Sequence, residues 1–372
     1  NLRGTDDSLT LHTTYGLLEE VGQLTFQNPH YFGHANFSNS ISGGYSNVQN
    51  ITTFQASTLQ GDFRVTQKVN RADTMIYNFE FRRVAVNPAT LQVSANLIPQ
   101  LSQPVRVGGP GITWFHDNRE PSPLNAATGS YTSVQDFFAS SKFGSEVSFN
   151  RTDITNSTYY AFGKHQFVLA RSTRLGFETA FGPNPNVNNA SCAGVLLETN
   201  ASCNPVPLPE RLYAGGASSH RGFPINGAGP RDLQTGYPVG GSAVFVNSTE
   251  LRLPPVTLPY VGDNLSFVLF HDMGNVFYHV SDMFPSFLHF HQPNQQTCAD
   301  VSKKFGTCNF NYFSHAVGLG LRYKTPVGPI RVDFSYNLNP PVYPVIYDFN
   351  GNPPYEGQAA HFNFFFSIGQ AF

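Results

Sequence analysis

The segment 361–372 alternates: Phe362, Phe364, Phe366, Ile368, Gln370 and Phe372 share one face, and His361, Asn363, Phe365, Ser367, Gly369 and Ala371 take the other. A period of two belongs to a β-strand. So many large apolar side chains on one short face point to lipid on that side and a wetter lumen on the other. Upstream, Ile330, Val332, Phe334, Tyr336 and Leu338 alternate with Arg331, Asp333, Ser335 and Asn337, and Val317, Leu319, Leu321 and Tyr323 alternate with Gly318, Gly320, Arg322 and Lys324. The turn between these two strands is Thr325-Pro326-Val327-Gly328-Pro329.

The same pattern predicts strands at 8–16, 22–28, 36–45, 52–69, 74–86, 108–116, 131–140, 146–162, 166–178, 243–253 and 265–277, fourteen with the three above. Arg171 is in phase with Phe167, Leu169 and Leu175, so either it snorkels to a polar surface or the register shifts there. Short connections (69–73, 162–165, 325–329) alternate with long ones (87–107, 182–241, 278–312, 339–360). This arrangement predicts an all-β fold, a transmembrane antiparallel up-and-down β-barrel with short turns at one rim and long loops at the other. A single barrel domain over 1–372 is expected.

Composition agrees with a wall between lipid and water. The chain is 12% charged and 14% aromatic, where a soluble domain carries about 25% charged residues. Mean hydropathy is only −0.23, because a barrel needs just alternate residues apolar. No run approaches the roughly 18 apolar residues of a membrane helix. The net charge of −2 gives no reason to expect nucleic acid as a partner.

The four cysteines fall in two close pairs, Cys192 with Cys203 and Cys298 with Cys308, both in long polar connections. Proximity favours two local disulfides, and hence an oxidising compartment. The alternative is a metal held by Cys298, Cys308, His289 and His291, but neither cysteine pair has the two-to-four-residue spacing of a zinc knuckle. No metal or cofactor is expected. The chain opens at Asn1 without an initiator Met or signal segment, so it is expected to be a processed or truncated piece of something longer. Sequons such as Asn36-Phe37-Ser38 are expected by chance in so Asn-rich and Ser-rich a chain.

One long connection carries Arg211-Leu212-Tyr213-Ala214-Gly215-Gly216, then Arg221-Gly222-Phe223 and a Gly-rich run ending in Gly240-Gly241. With Ser248-Thr249-Glu250-Leu251, His271-Asp272-Met273-Gly274-Asn275-Val276, segment 117–131, Thr325 to Pro329 and Phe364 to Phe372, in this order, the chain resembles the barrel of the BamA and TamA-type outer-membrane assembly factors, the bacterial surface antigen superfamily. The resemblance implies that about 182–241 folds back as a lumen-plugging loop with Arg221-Gly222-Phe223 at its tip, and that Arg221 pairs with Glu250 and Asp272. It also implies that Phe364, Phe366, Ile368 and Phe372 form the strand by which the barrel is itself recognised for assembly. Asn1-Leu2-Arg3-Gly4 looks like the close of the family's second strand, so fourteen of sixteen strands are expected here, with two strands and the POTRA domains outside this piece.

The residues support part of this independently. Glu250 shares the polar register of Val246, Ser248 and Arg252, and Asp272 that of Ser266, Val268, Phe270 and Gly274. Both carboxylates should point inward, and a guanidinium suits paired carboxylates better than an ammonium. The alternative is a set of ordinary solvated lumen charges, their pairing weakened by a wet lumen. A hydrolase reading finds little support: Ser219 and His220 are sequence neighbours that point apart when extended, as do His271 and Asp272, and no third group orients either imidazole. The expected role is therefore not enzymatic.

The resemblance implies a factor in the bacterial outer membrane that inserts other β-barrels, with outer-membrane lipid, unfolded β-barrel clients, accessory assembly lipoproteins and periplasmic chaperones as partners. Secretion of a dedicated partner by the same kind of barrel is the alternative. A passive pore is more remote, because the long connection would obstruct it.

Overall fold

The structure is a computed structural model that describes residues 6–16, 18–164, 167–181, 204–232, 235–259, 262–298, 308–325, 329–346 and 355–368. Its strands in chain order are β1 (Ser8–Tyr15), β2 (Glu19–Asn28), β3 (Phe37–Ile51), β4 (Phe54–Lys68), β5 (Asp73–Val86), β6 (Val105–Asp117), β7 (Gly129–Ala139), β8 (Phe149–Phe162), β9 (Phe167–Ala180), β10 (Ala243–Arg252), β11 (Val256–Leu258), β12 (Gly262–Phe277), β13 (Ser314–Tyr323), β14 (Ile330–Asn337), β15 (Val342–Ile346), β16 (Tyr355–Gln358) and β17 (Phe362–Ile368).

One antiparallel sheet takes β1 to β10, then β12, β13, β14 and β17, each strand bonded to the one before it; β11 adds a short pairing to β12. All fourteen predicted strands lie on this path. The differences are of extent: β3 runs on to Ile51, where a bulge near Val48 lets the chain twist into β4. The connection 339–360 is not featureless, since β15 and β16 pair within it as a separate hairpin.

Two compact units divide the chain, and β7, β8 and β9 each contribute to both. In the first unit (1–116, 133–153 and 177–211) β1 to β6 form a meander. Its outer face exposes Leu9, Leu11, Leu59, Phe63, Tyr77 and Phe79. Its apolar core gathers Val105, Val107, Phe137, Ala139, Val147, Phe149 and Val206. Arg82 stands beside this core, bonded to Glu210 at 2.6 and 2.8 Å and lying 4.9 Å over the Phe137 ring.

In the second unit (117–132, 154–176 and 212–372) alternation again sorts the faces. Phe334, Tyr336, Phe362, Phe364, Phe366 and Ile368 are exposed, while Arg331, Asp333, Ser335 and Asn337 are buried. Phe334 and Phe364 sit opposite each other in register, ring centroids 5.3 Å apart. Arg171 stays in the exposed register and donates to Thr173 Oγ1 at 2.7 Å, so a local hydrogen bond accommodates it without a shift of the strand.

Candidate functional site: the arginine at the loop tip

Within the connection between β9 and β10, residues 220–223 lie against the polar face of the second unit's strands. Tight backbone geometry shapes its approach: Gly215 holds φ +120°, a conformation that side chains with a Cβ rarely adopt. Leu212 then exchanges backbone bonds with Gly241 at 3.0 Å in each direction, closing the neck of the loop. Within it, Phe223 is buried with Leu212, Ala214, Ala228, Val244, Val246, Val276 and Ala359, an apolar plug that seats the tip.

Beside that plug Arg221 meets both carboxylates. Its Nε and Nη2 donate to the two oxygens of Asp272 at 2.8 and 2.7 Å, its backbone N–H donates to Asp272 Oδ2 at 2.9 Å, and its Nη1 donates to Glu250 Oε1 at 2.8 Å. Ser248 accepts from Nη2 at 2.9 Å and donates onward to Asp272 Oδ1 at 2.6 Å. The guanidinium carbon lies 3.5 Å over the Phe270 ring, a cation–π contact.

This geometry corrects the expectation of a wet environment: the side chains of Arg221, Glu250 and Asp272 are 1%, 1% and 0% exposed. Charges so buried require complete pairing, and neighbouring strands supply it. Arg322 reaches Asp333 Oδ1 at 2.5 Å and Glu250 Oε1 at 3.5 Å. Arg331 reaches Asp333 Oδ2 at 2.9 Å and the Ala217 carbonyl, also at 2.9 Å. Arg252 lies 3.3 Å from Glu250 Oε2. Burial by itself would push the Arg221 guanidinium down, but Asp272, Glu250 and Asp333 outweigh it and hold the group above its ordinary range.

Gly222 is the point of closest approach. A Cβ there would stand 2.8 Å from the His220 ring, 3.0 Å from Ala316 Cβ and 3.1 Å from Asn337 Nδ2. Its carbonyl accepts from Asn337 Nδ2 at 3.0 Å and from Asn363 Nδ2 at 3.2 Å, so β14 and β17 both grip the tip. His220 is fully buried, its Nε2 3.1 Å from the Ser314 carbonyl and its Nδ1 accepting from Gly222 N at 3.1 Å. Those partners require the neutral Nε2–H tautomer. Burial, reinforced by Arg221 and His271, lowers the imidazole pKa despite the opposing pull of Asp272 and the Ser314 carbonyl.

Reading from the sequence missed Ser248, Phe270, His220, Asn337 and Asn363 as partners of the tip, and placed Arg322, Arg331 and Asp333 inward without linking them to it. For all of these but His220, which lies on the loop itself, the shared inward register was the available signal. Ser219 Oγ accepts from Gly215 N at 3.3 Å, which is a loop contact. His271 lies on the opposite face from Asp272, its Nε2 3.1 Å from His315 Nδ1.

Cys298 and Cys308 are joined by a disulfide, so neither is a thiolate available to a metal; His289 instead meets the Asn311 carbonyl at 3.0 Å. The bridge packs with Phe310 against Tyr343 of β15. Gln292 clasps Val342 on both sides, donating to its carbonyl at 3.1 Å and accepting from its N–H at 2.7 Å. Cys192, Cys203 and Phe372 lie outside the described residues.

The profile of the Omp85 superfamily domain matches residues 1–372. The chain belongs to the Omp85 superfamily. Over 158 residues, 42% of its length, it is 28% identical to outer membrane protein assembly factor BamA of Nitratidesulfovibrio vulgaris Hildenborough, and the match spans 16% of that relative. BamA from Haemophilus ducreyi lacking POTRA domains 1–3 superposes with a TM-score of 0.68 at 16% identity, covering 97% of this chain and 64% of that one. That likeness shows the fold, an Omp85 up-and-down antiparallel β-barrel.

Proposed function

We propose that this Omp85 chain is the outer-membrane barrel of a factor that folds and inserts other β-barrel proteins. The observation that carries the reading is the buried Arg221-Gly222-Phe223 tip, locked by β10, β12, β13, β14 and β17, in a chain related to BamA. A locked inner loop stiffens one part of the wall, and insertion then falls to strand edges, where unpaired backbone groups recruit an incoming strand. No chemical step is required, and the role is not enzymatic. The partners are outer-membrane lipid, unfolded β-barrel clients, accessory lipoproteins and the periplasmic chaperones that deliver clients.

Depleting the full-length protein in its own bacterium tests this. Loss of many folded outer-membrane β-barrels is expected. Loss of a single exported partner with the other barrels intact would overturn the insertase reading in favour of dedicated secretion. Large steady single-channel openings would instead mark a passive pore.

A further inference from the structure

Between β12 and β13 the chain forms a short helix, Val280–Ser286, that packs against β10 and β12. Its apolar residues recur at helical spacing: Val280, Met283 and Phe284, then Phe287 and Leu288 just beyond. Met283 is buried at 1%, yet Phe284, Phe287, Leu288 and Phe290 are 70%, 56%, 88% and 46% exposed. Four adjacent large apolar side chains in contact with water are costly, and such a patch marks a surface that something covers.

The side of the sheet on which this segment lies identifies what covers it. Phe287 packs with Phe245 and Phe313, ring centroids 6.4 and 5.2 Å away, and Phe290 stacks on His315 at 4.9 Å. Phe245 has the register opposite to Ser248 and Glu250, and His315 the register opposite to Ser314 and Ala316, so both belong to the outward face. The segment is therefore folded down over the side that also exposes Leu269, Val317 and Leu319. It is pinned there: Phe313 N donates to the His289 carbonyl at 3.0 Å, and Asn339 Nδ2 donates to the carbonyls of Phe290 and Phe313. From 279 to 298 the chain contains no Lys or Arg and only one carboxylate, Asp282, so little charge opposes entry into an apolar phase.

We infer that residues 284–290 are an interfacial anchor that inserts Phe284, Phe287, Leu288 and Phe290 into the acyl-chain boundary of the lipid bilayer, beside the wall. Amphipathic segments of this kind lie in the interface plane with their apolar face buried in it. The inference rests on the reading of the chain as a membrane barrel.

Tryptophan fluorescence of the full-length protein in phosphatidylcholine vesicles tests it, with the parent's own tryptophans, Trp114 among them, subtracted as background. Leu288→Trp and Phe284→Trp report on the segment, and Leu319→Trp reports on the wall. Brominated acyl chains are expected to remove most of the emission added at all three positions, while aqueous iodide leaves it. If Leu319→Trp is quenched by bromine but the two segment variants only by iodide, the segment sits in water and the inference fails. If the segment variants respond to neither quencher, protein covers them, and the inference fails equally. If bromine quenches no position, the membrane reading falls and the anchor with it.

Discussion

Asp272 accepts three hydrogen bonds from one residue, Arg221: one from its backbone N–H and two from its guanidinium, at 2.7 to 2.9 Å. The backbone bond ties the course of the loop, and not just the side chain, to β12. Arg221→Ala leaves Asp272 with Ser248 as its remaining side-chain partner. Breaking a buried pair in this way costs about 3–5 kcal/mol. The expected outcome is a folded chain whose loop leaves the polar face, read as new protease cleavage within 212–241 together with impaired activity. Arg221→Lys should be intermediate, because one ammonium cannot give Asp272 and Glu250 the same forked contact. A loop as resistant as that of the parent would refute the anchoring role.

His220 makes the anchoring sensitive to pH. Its folded pKa lies below the unfolded value of about 6.5, so between the two the unfolded segment binds more protons and stability rises with pH. The tip should therefore loosen progressively as pH falls below about 6.5 and be fully seated above it. Protonation would also turn Nδ1 from an acceptor of the Gly222 N–H into a second donor facing it. Hydrogen exchange at the Gly222 amide between pH 7.5 and 5.5, corrected for intrinsic rate, checks this; His220→Gln should flatten the profile.

Reducing the Cys298–Cys308 bridge should have a local effect. The chain-entropy model gives at most about 3 kcal/mol for so short a loop. The expected signature is faster exchange of the Val342 amide, which Gln292 holds, with the exchange of β10 and β12 unchanged. Collapse of the whole sheet on reduction would contradict it.

Phe372→Ser should lower the amount of folded protein in the outer membrane without lowering synthesis. The resemblance assigns Phe372 to the recognition strand, and β17 already carries Phe364, Phe366 and Ile368 exposed on that face. Heat-modifiable mobility on gels measures the folded fraction. Unchanged assembly would reduce this face to ordinary lipid packing.

The wall was legible in the sequence because period-two alternation marks strands such as β14 and β17 from end to end, and even Arg171 kept its phase. The loops were less so. Val280, Met283, Phe284, Phe287 and Leu288 recur at three- and four-residue steps, a helical period that a two-residue alternation does not contain. The β15–β16 hairpin owes its place to distant partners, Gln292 and the disulfide, which no local pattern in 339–360 announces. At the tip, register alone turned Glu250 and Asp272 to one side. How dry they are was not readable, because that depends on Phe223, Phe270 and the arginines of β13 and β14 closing around them.

The two asparagine bonds to the Gly222 carbonyl have a bearing on how the sheet is put together. Asn363 reaches that oxygen only while β17 is aligned so that Phe364 faces Phe334. A slip of one residue would turn Asn363 to the lipid side and bring Phe362 or Phe364 into its place. The seated loop thus works as a gauge against which the alignment of the C-terminal strand is checked, and a misaligned strand would leave the carbonyl short of a donor.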